Sequence, residues 1–322
     1  MVAALLSLLL ACQTITGCTG VGKEQQKEER YIAVICKGSQ PQFWKTVEQG
    51  ARDAGEELGV KISFEAPEDE TQIDVQIGMM EKAIQEKADA IVLAPLDTEK
   101  LNDVVDEASE EGIPVLTLDS DITTKSRVAT IGTSNKSAGA IAARNAAEKI
   151  GGKGKIAIIA HVEGSQTAME RRGGFIQELE AYKDDIEIVG TSYCDGDAGK
   201  AKEQALDYLK RYPELKCIYG ANEGSAVGAA AAVMELNKQK SVKVIGFDSS
   251  DEEIAYLEEG VIDGMMVQNP YNMGYLGVRN INKVLDGKEI EEKIDTGATY
   301  VDINNLKDED TQWLLYPLGE NE

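Results

Sequence analysis

The chain has one histidine, two tryptophans, four phenylalanines, and 33 basic residues against 57 acidic ones, and each shortage excludes something. A net charge of −24 argues against nucleic acid or an anionic membrane surface as partner, since both need basic patches. A lone His161 and no cysteine pair at ligand spacing argue against a zinc site, and DGDAG at Asp195 to Gly199 lacks the remainder of a calcium loop. No metal or cofactor is expected. Catalytic signals are as sparse: His161 has no nucleophile motif around it.

No apolar run is long enough for a stable membrane span. The first residues, MVAALLSLLLACQTITGC, are a short apolar run followed by small and polar residues, and they read as a signal peptide over 1–17. The charged stretch VGKEQQKEER, within 18–30, would be a tether. Downstream of it Cys36, Cys194 and Cys217 are an odd set, so no disulfide framework follows. Cys217, in the apolar run KCIYG, reads as a small buried hydrophobe.

What is abundant is a repeated unit. Tyr31 to Cys36 is an apolar, β-branched run without polar alternation, as expected of a strand buried on both faces of a parallel sheet. Phe43, Val47, Ala51, Ala54 and Leu58 follow at helical spacing, and Gly59 stops the helix before the next apolar run. Trp44 stands about 100° off that stripe. The same alternation returns through AIVLAP, IPVLTLD and VATIGT, and again from KIAIIA through IEIVGTSY, KCIYGAN and VKVIGFD. Two similar halves result, each predicted to be an α/β lobe with a doubly wound parallel sheet. The tail is too short to fold alone and would complete both lobes. The lobes are expected at 31–133 plus 269–296 and at 134–268 plus 297–322, joined by three strands near Thr133, Gln268 and Thr296 that act as a hinge. Acidic runs such as EELGVK, EDETQID and DEASEEG read as solvated surface.

The loops after these strands carry the chemistry, because open α/β sheets bind ligands at the carboxyl ends of their strands. KGSQPQFW follows the first strand, Asp119 and Asp248 end buried strands of the two halves, and R-x-x-G-F runs from Arg171 to Phe175. With AN at Ala221 and Asn222 and VQNP at Val267 to Pro270, the order and spacing resemble the periplasmic sugar-binding proteins of the ribose, galactose and xylose type, substrate receptors of ABC importers. The resemblance covers about Arg30 to Ile303 and implies a type I periplasmic-binding-protein-like fold. ITGC, at Ile15 to Cys18, is similar to a bacterial lipobox, which implies lipidation of Cys18 and a membrane-anchored, extracytoplasmic lipoprotein; LLAC, ending at Cys12, is a weaker match.

The resemblance implies sugar contacts at Asp119, Arg171, Asn222, Asp248 and Gln268. Each suits the task by itself: carboxylates accept from adjacent hydroxyls, the guanidinium offers a planar donor fork, and amides donate and accept. Phe43 and Trp44 are candidates for stacking on the sugar's C–H face, and Lys37 for a ligand contact or an ion pair with a cleft carboxylate. Gly196 and Ser120 stand where ribose binders carry an aromatic and a basic residue, so a roomier pocket is expected. The expected partners are a monosaccharide or small polyol and an ABC permease, with the protein a monomer. Three alternatives compete. A receptor signalling to a membrane kinase or chemoreceptor would use the same ligand residues. A sugar-processing enzyme would need Asp119 and Asp248 at a fixed separation, which hinged lobes do not supply. A lactose-repressor-type regulator would need a helix-turn-helix that the chain lacks.

Overall fold

A computed structural model describes residues 29–317. The apolar runs form two six-stranded sheets. The first holds, in spatial order, β2 (Lys61–Glu65), β1 (Tyr31–Ile35), β3 (Ala90–Leu93), β4 (Val115–Leu118), β5 (Arg127–Gly132) and β11 (Lys293–Asp295), all parallel. The second holds β7 (Ile186–Tyr193), β6 (Gly154–Ala160), β8 (Leu215–Gly220), β9 (Lys243–Phe247), β10 (Gly264–Gln268) and β12 (Ala298–Val301). The two orders are the same, and only β12 runs antiparallel to its neighbour. The predicted α/β class with two doubly wound sheets is therefore what the chain adopts.

Both faces of each sheet are covered, which is why the strands lack polar alternation. In β1, Ile32 and Val34 enter one apolar cluster while Ala33 and Ile35 enter another on the opposite face. The first sheet carries α1 (Gln42–Leu58), α2 (Ile73–Gln85) and α3 (Asn102–Glu110). The second carries α4 (Asn135–Lys149), α5 (Gln166–Leu179), α6 (Ala198–Arg211), α7 (Glu223–Glu235) and α8 (Asp251–Glu258). The chain then returns to the first sheet with α9 (Pro270–Leu285) and ends on the second with α10 (Glu309–Leu315). It passes between sheets after β5, after β10 and after β11.

Helices α1 and α9 cross at backbone distance. A Cβ on Gly50 would stand 2.1 Å from the Tyr271 carbonyl oxygen, and one on Gly274 would stand 2.0 Å from that of Val47. This close approach covers the side of α1 that carries Gly50, whereas Trp44 lies on another side, covered by Gly38 after β1 and by Glu70 beyond β2. Trp44, not Phe43, joins Val47, Ala51 and Ala54 in the core, while Phe43 is only partly buried.

Candidate functional site

The carboxyl ends of the two sheets face each other, and β1, β4, β6 and β9 each deliver a polar side chain into the cleft. Lys37 lies just beyond β1, buried, with Nζ 2.6 Å from Asp119 Oδ2 and 2.5 Å from Ser120 Oγ. Asp119 directly follows β4 in a left-handed conformation (φ 61°), and Asp248 directly follows β9 in the same region (φ 87°). Asp248 does not cap the next helix: Ser250 caps α8, leaving the carboxylate free to accept from Gln268 Nε2 at 2.7 Å and from the Glu223 N–H at 3.0 Å. Burial pushes the Asp248 carboxyl up, against the Arg171 charge and these donors.

Arg171, on α5, sits between the two aspartates. Its Nη2 is 4.0 Å from Asp119 Oδ1 and its Nη1 4.0 Å from Asp248 Oδ2. The guanidinium lies 3.7 Å above the Phe247 ring centroid. Its Nε donates to Asn135 Oδ1 at 2.8 Å and its Nη1 to the Ala221 carbonyl at 3.0 Å, so the fork is fixed in orientation before any ligand arrives.

Asn222 is less versatile than its side chain alone implies. Its Oδ1 is engaged by the Ser225 N–H and hydroxyl in the capping box that starts α7, which leaves the amide N–H groups as its contribution. Gln268 is the converse: its Nε2 is committed to Asp248, and its buried Oε1 has no partner among the described residues. Phe43 and Trp44 meet edge to face, with centroids 4.8 Å apart.

All eight residues expected at the site, Lys37, Phe43, Trp44, Asp119, Arg171, Asn222, Asp248 and Gln268, line one cavity of about 30 Å³. As placed, the side chains leave room for a water or two. A sugar enters only if they draw apart. A groove of about 610 Å³ lies outside, at the cleft mouth, and Gly196 lines that groove and not the cavity.

Five further residues line the cavity: Pro41, from the loop after β1, and four that sequence reasoning left out or placed elsewhere. Glu70, within the run read as solvated surface, follows β2, is partly buried and accepts from Trp44 Nε1 at 3.1 Å; burial raises its pKa. Its position after a strand was the available signal. Glu223 opens α7, and its pKa is pushed up to about 7 by burial and then by the Asp248 charge. His161 follows β6 as Lys37 follows β1. It is buried, held well below its usual pKa by burial and by the Arg171 and Lys37 charges, and its Nε2 lies 2.8 Å from Thr167 Oγ1. His161 is thus a neutral wall of the cleft, with Thr167 beside it.

Cys36, Cys194 and Cys217 are free and buried, and burial raises all three thiol pKa values, that of Cys194 to about 11. Among the described residues no His, Cys, Asp or Glu cluster is placed to hold a metal, and no helix is long and apolar enough to cross a membrane. Cys12 and Cys18 lie outside the described residues.

Two hinged α/β lobes of identical strand order, with strand-end polar residues converging on a shared cleft, define a two-lobed binding protein. The chain belongs to the periplasmic binding protein family, whose domain matches residues 32–289. A solute-binding protein of Agrobacterium vitis with bound D-fucose superposes with a TM-score of 0.86 at 35% identity, covering 89% of this chain and 100% of that one. One from Agrobacterium radiobacter in complex with D-arabinose has a TM-score of 0.87 at 32% identity, covering 90% and 99%. The D-allose-binding periplasmic protein of Escherichia coli is 30% identical, over 77% of this chain and 82% of its own. The family and these neighbours are sugar-binding transport proteins, not enzymes, and membership implies an extracytoplasmic location.

Proposed function

We propose that this protein is the receptor of an ABC importer and closes its two lobes on a monosaccharide. The observation that carries the reading is Arg171, held with its fork 4.0 Å from a carboxylate of each lobe beside two aromatic rings. A pyranose has an apolar C–H face for Trp44 or Phe43 and a ring of hydroxyls for the rest. Asp119 and Asp248 accept from hydroxyl pairs, Lys37, Arg171 and the Asn222 amide donate, and Gln268 Oε1 accepts. D-Allose, D-fucose and D-arabinose, the sugars named with the relatives above, are the first ligands to try.

The lobes that close are residues 31–133 with 269–296 and residues 134–268 with 297–322. The protein acts as a monomer, anchored through lipid on Cys18 and delivering its sugar to a membrane permease. Calorimetric titration with those three sugars and D-ribose tests the reading: micromolar or tighter binding of at least one supports it, and no heat with any pentose or hexose overturns it. Release of the Cys18→Ala variant from host membranes tests the anchor; a variant that stays membrane-bound with unchanged processing would remove it.

A further inference from the structure

The N-terminus of α1 has no cap of its own. The first N–H groups of any helix lack an intrahelical partner, and Pro41, at the N-cap position, offers them no side-chain acceptor. The other lobe supplies one. The Glu223 carboxylate, on α7, lies 3.4 Å from the N–H groups of both Gln42 and Phe43. The Gln42 side chain returns the contact to α8: its Nε2 donates to Asp251 Oδ1 at 3.0 Å, and its Oε1 accepts from the Asp251 N–H at 3.1 Å. Three helix N-termini from opposite lobes are thereby tied together. These bonds exist only when the cleft is shut, since each joins α1 of the first lobe to α7 or α8 of the second.

Their position gives them a further consequence. Pro41 and Glu223 line both the inner cavity and the outer groove, whereas Gln42 and Asp251 line the outer groove but not the cavity. The tie is therefore the wall between the sugar and the mouth. We propose that Gln42, Glu223 and Asp251 form a clasp that restricts the site to free monosaccharides, because a glycosidic substituent reaching toward the mouth keeps the clasp from forming. This rests on the cleft being the sugar site. Gln42 and Asp251 act on selectivity and residence time without touching the ligand.

The test uses whichever of D-allose, D-fucose and D-arabinose binds the wild-type protein, with its two methyl glycosides, and the variants Gln42→Ala and Asp251→Ala. Glu223 is left intact because it also lines the cavity. Stopped-flow fluorescence is expected to show koff raised about three- to tenfold in each variant with kon unchanged, the range for losing a partly exposed charge-assisted bond. The double variant should add little to the larger single effect, since both changes break one pairing. At least one methyl glycoside should bind the wild type at least about tenfold more weakly than the free sugar, and Gln42→Ala should narrow that gap. Unchanged koff, or fully additive changes, would overturn the clasp; both glycosides binding the wild type as tightly as the free sugar would overturn the size limit. Failure of every sugar to bind the wild type overturns the functional reading instead.

Discussion

Asp119 and Asp248 hold the same backbone position in the two lobes. Each directly follows the fourth strand of its sheet, each has a positive φ, and each donates its N–H to a carbonyl of the fifth strand, Ile131 in one lobe and Met266 in the other. A left-handed conformation costs a residue with a Cβ about 1–2 kcal/mol, and glycine almost nothing. Both positions keep an aspartate despite that cost. Replacing Asp248 by glycine should leave the melting temperature of the ligand-free protein within about 5 °C of wild type, while sugar affinity falls at least about tenfold. Unchanged affinity by calorimetry would show that the carboxylate serves the backbone and not the ligand.

Arg171→Lys keeps the charge and removes the fork. A lysine cannot at once reach Asn135, the Ala221 carbonyl and both carboxylates, so affinity should fall by roughly 30-fold or more, the scale of a disrupted buried charge contact. An affinity within threefold of wild type would mean that Arg171 acts as a point charge only.

Glu223 makes closure sensitive to pH. In the closed cleft its pKa is about 7, whereas facing water in an open cleft it returns to the ordinary carboxyl value of 4.5. A carboxyl whose pKa rises on closing favours the closed state fully below the lower value and loses that contribution as pH rises through the upper one. Asp248 and Glu70 are shifted in the same direction. Sugar affinity is therefore expected to fall on the order of tenfold between pH 5.5 and pH 8, and Glu223→Gln to flatten most of that dependence. Affinity that is constant across this window in the wild-type protein would refute the coupling.

The two tryptophans report on different places. Trp44 is buried in the cleft wall, and Trp313 on α10 is 67% exposed. Ligand-induced fluorescence change should survive Trp313→Phe and vanish in Trp44→Phe. The opposite pattern would place the moving aromatic outside the cleft.

Two glycines of equal packing separate stability from function. A Cβ on Gly274 meets the Val47 carbonyl at 2.0 Å, away from the cleft, and a Cβ on Gly139 meets the carbonyl of Arg171 itself at 2.1 Å. Both alanine variants should lose about 1–3 kcal/mol of stability through overpacking. Only Gly139→Ala should also weaken sugar binding at a temperature where both are folded, because it displaces the backbone that aims the guanidinium.

The fold was legible because strands buried on both faces appear as short unbroken apolar runs, and the site because five of its residues stand at or just beyond strand ends. Burial on α1 was not legible from the 3.6-residue period alone. Periodicity finds one covered stripe, but Trp44, off that stripe, is covered by Gly38 and Glu70 from the loops after β1 and β2, which only the fold brings against α1. Glu70 and Glu223 were hidden for another reason. In a chain with 57 acidic residues, a carboxylate carries little information until the fold shows which ones are removed from water.

The α1–α9 crossing also governs when the first lobe becomes whole. Residues 42–58 are made early, but their partner helix is completed only at Leu285, after the entire second sheet except β12 has been synthesised. Contacts of such sequence separation form slowly, because the loop they close must be ordered first. During synthesis one side of α1 therefore has no partner within its own lobe, and the chain stays incompletely folded until nearly all of it has emerged. In a family whose members work outside the cytoplasm, a chain that stays open until it is nearly complete keeps an extended form that a membrane passage can use.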